Sequence, residues 1–160
     1  EIEQNAFAGE DTPGIAVLTD ENLKGAIKAA QSVADVVIAM PHWGPDYSST
    51  PNYRQLHFAK VAVEAGADLV MGNHAHVIQG MQTLNGVPVF YGLGSFVFDQ
   101  SWSLETQQGI VVRVRYMGDE YLSHDVIPVH IEKNGHVFIP PAEESASILA
   151  RFQEISAEIP

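Results

Sequence analysis

The stretch ADLVMGNHAHVIQG, residues 67–80, sets a short apolar run directly ahead of two histidines one residue apart, His74 and His76. The same plan stands earlier in the chain. ADVVIAM, residues 34–40, is short and rich in β-branched residues, is bounded by Pro41, and leads at once to His42. Runs of this length and composition read as buried strands. Between them, Tyr53 to Ala65 returns to helical spacing through Leu56, Ala59, Lys60 and Val63, with Gly66 where a helix C-cap belongs. Strand, helix, strand predicts parallel pairing through a right-handed crossover.

Outward from this unit, Thr19 or Asp20 is the N-cap of an earlier helix whose apolar stripe is Leu23, Ala26, Ile27, Ala30 and Ala34. From residue 77 the rhythm changes. Two strand-like runs flank Asn85-Gly86, a dipeptide favoured in tight hairpin turns, so this section reads as antiparallel. Residues 108–117 alternate as a half-exposed strand does, and residues 121–139 suggest another hairpin around Asn134-Gly135. The tail returns to a helical period with Ile148, Phe152 and Ile155. The fold class is α/β, with βαβ units followed by antiparallel strands.

Composition narrows the chemistry. The chain has 160 residues, 46% of them hydrophobic and 18% charged, enough for one globular domain or part of one. Acidic residues outnumber basic ones 20 to 8, giving a formal charge of −12, a poor match for nucleic acid or an anionic membrane. An anionic partner needs help from a cation. No apolar run is long enough to span a bilayer, so membrane attachment is expected only through segments outside this chain. The absence of cysteine rules out thiolate metal sites, disulfides and thiol catalysis. Residues 1–14 begin without Met and are polar and turn-rich, so the chain is expected to be a piece of something longer.

Ligands of an open α/β sheet gather outside the carboxyl ends of its strands, so His42, His74 and His76 are expected at one edge. A His-x-His step in extended or turn backbone sends both rings to one side of the chain. Neutral imidazoles in a sulfur-free, acidic protein, completed by carboxylate or Asn oxygens, suit Zn, Mn or Fe. Gly72 and Gly44 give the backbone room to turn close to these rings. The bland alternative is that a histidine after a strand is simply a hydrogen-bonded structural residue. That reading is kept for His57, His124, His130 and His136. Trp43 could shape a substrate pocket or merely pack, and Asp99 and Gln100 could contact the site rim or merely cap a turn, the turn being favoured. Arg54, Arg113 and Arg115 are too scattered to form an anion patch.

The ordered set VADVVIAMPHWGPDY, TPNYRQLHFAKVAVEAGADLVMGNHAHVIQG and GVPVFYGLGSFVFDQ resembles the bacterial capsule-synthesis CapA family, associated with poly-γ-glutamate capsules and similar in turn to the calcineurin-like metallophosphoesterases. The likeness runs over residues 13–113. It implies a four-layer α/β/β/α sandwich with a dinuclear metal centre at the strand ends, of which residues 1–160 are the carboxy-terminal part of a single domain. By this resemblance His42 and His74 are ligands to one ion and His76 to the other. The family's first-strand Asp, further acidic residue and Asn-His pair have no counterpart here. The chain also departs from the family pattern at Ser95, usually Asn, and at Asp46, usually Glu. Neither is a ligand position, and Trp43, Asp46 and Tyr47 are left as the substrate contacts.

Three functions follow. The first is a metal-dependent hydrolase or transferase of capsule biosynthesis, acting on an anionic surface polymer such as poly-γ-glutamate or on a small phosphorylated precursor. The second is a non-catalytic module that binds or tethers the polymer. The third is a generic metallophosphoesterase acting on nucleotides, which nothing in the sequence favours. For the first two, the expected setting is the bacterial cell surface, with other capsule synthesis proteins as partners. Three imidazoles without a bridging carboxylate are a poor shell for two ions, so one ion at most is expected in this chain.

Overall fold

A computed structural model describes residues 6–160. The first helix, α1 (Asp20–Gln31), is capped by Thr19, whose hydroxyl accepts from the Asn22 amide at 3.2 Å. Strand β1 (Ile38–Ala39) and the short β2 (His42–Trp43) lead to helix α2 (Tyr53–Glu64). β3 (Leu69–Met71) and β4 (Asn73–His74) follow, then the hairpin β5 (Met81–Leu84) and β6 (Val87–Phe90). A 3-10 turn (Glu105–Gln107) precedes the long β7 (Gln108–Met117) and β8 (Glu120–Ile131), and the chain closes with β9 (Val137–Phe138) and α3 (Ala142–Ala157). Among the described residues no helix is long and apolar enough to cross a membrane.

The βαβ unit forms as expected. β1 pairs with β3 in parallel, and a four-stranded sheet runs in the order β1-β3-β6-β5. Helix α2 is closed at its start by a capping box, with the Asn52 side chain accepting from the Arg54 and Gln55 amides and Gln55 reaching back to the Asn52 amide. It stops at Gly66, whose φ of +100° is the left-handed C′ conformation that glycine adopts without a Cβ penalty. The expected hairpin is present, with Asn85 and Gly86 at φ +50° and +87°, the positive pair that a type I′ turn requires.

Two features depart from the sequence reading. The strand expected over residues 35–40 is hydrogen-bonded as a strand only over Ile38–Ala39, and both it and its partner break, at Met40-Pro41 and at Gly72, because proline offers no amide to a ladder. Beyond the break, β2 and β4 resume the same parallel register, so His42 faces Asn73 and Trp43 faces His74 as Ile38 faces Leu69. The second departure concerns β6. It belongs to the hairpin but also pairs in parallel with β3, which carries the first sheet into the antiparallel half of the chain.

Alternation along the central strands builds two cores. Val70, Val89 and Tyr91 face α1 and α2, where Ile27, Phe58, Ala59, Ala62 and Val63 pack. Leu69 and Phe90 face the other way, toward Ile110 of β7 and Ile148 and Phe152 of α3. Burying each of these large side chains contributes roughly 1.5–3 kcal/mol, enough to pin the register of short strands. The antiparallel sheet β7-β8-β9 thus covers the second face of the parallel sheet, and α3 packs along β8 and β5. This is part of an α/β sandwich. β1 lies at one edge of the four-stranded sheet, with Ile38 and Met40 exposed.

Gly72 marks the tightest passage in this frame. A Cβ there would sit 2.1 Å from the Trp43 Nε1 and 2.2 Å from the Tyr91 carbonyl oxygen, in the middle of the hydrogen bond these two groups make. Gly72→Ala is expected to destabilise the fold by about 1–3 kcal/mol. Gly25→Ala, which meets nothing within 4 Å on α1, is expected to stabilise it by about 0.5–1 kcal/mol. Urea unfolding of the two variants checks both signs.

Candidate functional site

The two interrupted strand pairs deliver the histidines to one edge. His42 is exposed at the start of β2 and His74 ends β4, with ring centroids 4.5 Å apart. His76 lies 6.0 Å from His74 by the same measure. Of the extended and turn routes open to His-x-His, the chain takes the turn. His74 has φ +110° and His76 φ +60°, with the intervening Ala75 buried, so a left-handed turn brings the rings together. Non-glycine residues in this region cost on the order of 1–3 kcal/mol each, and such strain collects at functional sites.

The loop after β2 supplies a carboxylate. Asp46 Oδ1 stands 3.5 Å from His74 Nε2 and 3.9 Å from His76 Nε2. Tyr47, also at positive φ (+60°), fixes this loop by donating its amide proton to the Ala75 carbonyl at 2.8 Å. The strained turn of one loop is thus bonded to the residue between the two strained histidines of the other.

A buried amide chain holds both loops from beneath. Gln55 and Gln79 are inaccessible to solvent. Gln55 Nε2 donates to Gln79 Oε1 at 2.7 Å, and Gln79 Nε2 donates to the Ser48 carbonyl at 2.8 Å. Gly44, at φ +85°, lies flat against the Gln55 amide, where a Cβ would approach to 2.6 Å. The capping box that starts α2 therefore also sets the path of residues 44–52.

Ligand atoms of Asp46, His74 and His76 all lie within 4.8 Å of one another, so this trio has the geometry to hold a cation. Nitrogen and oxygen donors around a divalent ion at about 2.0–2.2 Å stand roughly 3–3.5 Å apart, close to the Asp46 separations. His42 is outside this compact set although its ring touches that of His74. Burial and the neighbouring His42 lower the His74 pKa from 6.5, against the raising effect of Asp46, which favours the neutral imidazole that ligates a metal.

Other expectations are placed as follows. Trp43 does not line an open pocket: it is 6% exposed, donates its indole N–H to the Tyr91 carbonyl at 2.8 Å and stacks on the Tyr91 ring. Alternation along β2 turns it inward when His42 points out. Tyr47 is open to solvent beside His76. Of the two readings for Gln100 it is the rim contact that forms, its Nε2 donating to the Tyr47 hydroxyl at 3.4 Å. Ser95 Oγ donates to the His76 carbonyl at 3.3 Å, steadying the loop without touching the rings. The remaining histidines are paired away from the cluster: His57 with Asp20, His124 with Tyr121, His130 with Glu144 and His136 with Glu132. Asp46 was legible only as a substrate contact. Its position four residues after His42, across a Gly-Pro turn, is the signal that its carboxylate comes to the same edge. Gln55 and Gln79 gave no signal at all.

Taken together, the chain is part of an α/β sandwich whose strand ends gather three imidazoles and a carboxylate with room for a cation. The family model for the bacterial capsule synthesis protein PGA_cap matches residues 2–100, and the chain belongs to that family. It is 35% identical over 126 residues to the PGA biosynthesis protein CapA of Bacillus subtilis, covering 79% of this chain and 33% of that protein. It is 34% identical over 132 residues to the capsule biosynthesis protein CapA of Bacillus anthracis, covering 80% of this chain and 32% of the other. A probable polyglutamine synthesis accessory protein of Mycobacterium tuberculosis is 26% identical over 105 residues, or 61% of this chain and 28% of its own length. The chain spans about a third of the length of these relatives.

Two outcomes are expected. Gln79→Leu strands the Gln55 amide and the Ser48 carbonyl and lowers stability by about 1–3 kcal/mol in urea unfolding. His74 titrates below 6.5 by NMR, and His42→Ala moves it upward by removing a like charge. Because folding disfavours the protonated ring, the His74 contribution to stability is present above pH 6.5 and declines as pH falls toward the lowered folded-state value.

Proposed function

We propose that this chain carries the histidine-rich part of a metal-dependent hydrolase site of capsule biosynthesis, within the carboxy-terminal part of a larger single domain. The observation that carries the reading is the meeting of Asp46, His74 and His76, drawn from two loops, around a space of cation size. His74, His76 and Asp46 would hold a divalent ion, with His42 beside His74 available to a second. Mn, Zn or Fe suits this nitrogen and oxygen donor set. When bound, such an ion supplies Lewis acidity to a phosphoryl or acyl oxygen and lowers the pKa of water toward neutrality. The protein's own part is to fix the donors: the Gln55–Gln79 chain and the Tyr47–Ala75 hydrogen bond hold the two loops at one separation.

The substrate class follows from charge. A chain of net charge −12 repels polyanions except where a cation offsets it, so the substrate's anionic group docks at the histidine cluster. Poly-γ-glutamate or a phosphorylated surface precursor fits, and the names of the Bacillus relatives favour the former. The setting is the bacterial cell surface, with anchoring by segments outside this chain and with other capsule synthesis proteins as partners. A second reading, a polymer-tethering module without catalysis, is favoured by one observation: a single carboxylate stands among the imidazoles in the compact set.

Metal analysis of the full-length protein, with phosphatase and γ-glutamyl hydrolase assays, separates the two. Bound metal with EDTA-sensitive hydrolysis supports the enzyme, whereas tight polymer binding without metal defeats it. His74→Ala or His76→Ala is expected to weaken metal binding by about tenfold or more while leaving the circular dichroism spectrum intact. Unchanged stoichiometry and affinity in both variants would refute the ligand assignment.

A further inference from the structure

His74 and His76 offer the same kind of donor atom but are held differently. The His74 side chain is 16% exposed, with the His42 ring against it at 4.5 Å and Asp46 Oδ1 at 3.5 Å from its Nε2. The His76 side chain is 27% exposed, and Asp46 Oδ1 stands 3.9 Å from its Nε2, beyond hydrogen-bonding reach. Among the described residues neither ring nitrogen of His76 makes a hydrogen bond. A histidine that ligates a metal ordinarily donates its second ring N–H to a carboxylate or carbonyl, and that bond fixes the orientation of the ring. His76 has to be oriented by another contact.

The segment that follows β6 supplies one, meeting His76 at two points. Ser95 Oγ donates to the His76 carbonyl at 3.3 Å, and Phe98, three residues on, stacks against the imidazole with centroids 5.4 Å apart and planes at 20°. The same segment is moored to the loop that carries Asp46. Gln100 Nε2 donates to the Tyr47 hydroxyl at 3.4 Å, and Trp102 meets the Tyr47 ring edge-on at 5.8 Å. Phe98 is 44% exposed, so it adds little to either core, and among the described residues the only ring it stacks on is His76. Stacking covers a face of the imidazole and leaves its edge, where the nitrogen lone pair lies, uncovered. The contact therefore restrains the ring from swinging into solvent without competing for the donor atom.

We infer that Phe98 is a positioning residue for His76, holding the imidazole beside Asp46 and His74 so that a divalent cation meets a donor set already in place. The consequence for cation binding rests on the function proposed above, whereas the hold on the ring does not. An aromatic pair of this geometry is strong enough that its loss weakens cation binding about two- to tenfold.

Two measurements on the full-length protein test this. The first is the ring proton signal of His76 in the metal-free protein, recorded by NMR with labelled histidine and assigned by its disappearance in His76→Ala. Phe98 holds that signal upfield through its ring current, so Phe98→Ala is expected to move it downfield and Phe98→Tyr to keep it in place. The second is Mn²⁺ affinity by electron paramagnetic resonance. Phe98→Ala is expected to weaken it about two- to tenfold, Phe98→Tyr to retain it, and Phe98→Ala in the His76→Ala background to cause no further loss, because Phe98 acts through that ring. A His76 signal unmoved in Phe98→Ala overturns the inference. So does an equal loss of affinity in both backgrounds, or a Phe98→Tyr variant as weak as Phe98→Ala. If the unmutated protein binds no Mn²⁺, the cation reading fails, and the His76 signal by itself upholds or overturns the hold of Phe98 on the ring.

Discussion

Two amide side chains without solvent contact, Gln55 and Gln79, tie the loop that follows the first strand pair to the loop that follows the second. Both side-chain amides in the path have a partner at nitrogen and at oxygen, running from Asn52 to Gln55, Gln55 to Gln79 and Gln79 to Ser48. A buried amide left unpaired costs about 1–3 kcal/mol, so sliding one loop against the other breaks bonds that water is not there to replace. The position of Asp46 relative to His74 and His76 follows from this constraint. Apolar contacts alone would fix the sheet but leave these loops free to drift.

The strain at the site is intelligible on the same basis. Tyr47, His74 and His76 hold left-handed backbone that their side chains disfavour, and their loops are bonded to each other through Tyr47 and Ala75. The rest of the fold sustains this because the parallel register resumes unchanged beyond the breaks at Pro41 and Gly72, with Trp43 packed on Tyr91 below. What the strain accomplishes is convergence: a fully extended segment would separate the three imidazoles along the sheet edge. Burial and mutual proximity then favour the uncharged form of His74, as a donor to a cation requires.

Much of the framework was legible because its causes are local. Gly66 at the end of α2, the Asn85-Gly86 turn and the alternation over Gln108–Met117 each reflect a backbone or periodicity rule that needs no partner. The clustering of His42, His74 and His76 at one edge was legible from the strand-helix-strand pattern, and of the extended and turn routes open to His-x-His the chain takes the turn. The parallel pairing of β6 with β3 was not legible, because a hairpin strand carries no mark of what lies on its far side. Gln55 and Gln79 were invisible for a related reason: a buried amide and a surface amide are the same letter. Trp43 was open to a better reading, since its inward direction follows from that of His42 one residue before.

The edge formed by β1 carries a colloidal consequence. Among the described residues, Ile38 and Met40 lie open there next to backbone whose far side has no neighbouring strand in its sheet, the arrangement through which identical chains zip together. What keeps copies apart is a surplus of twelve negative charges, and that guard acts through water. Dissolved salt shortens its range to about 8 Å at physiological strength and about 3 Å at 1 M. Among the described residues the guard on this edge is therefore acidity rather than architecture, and brine, not dilution, is what weakens it.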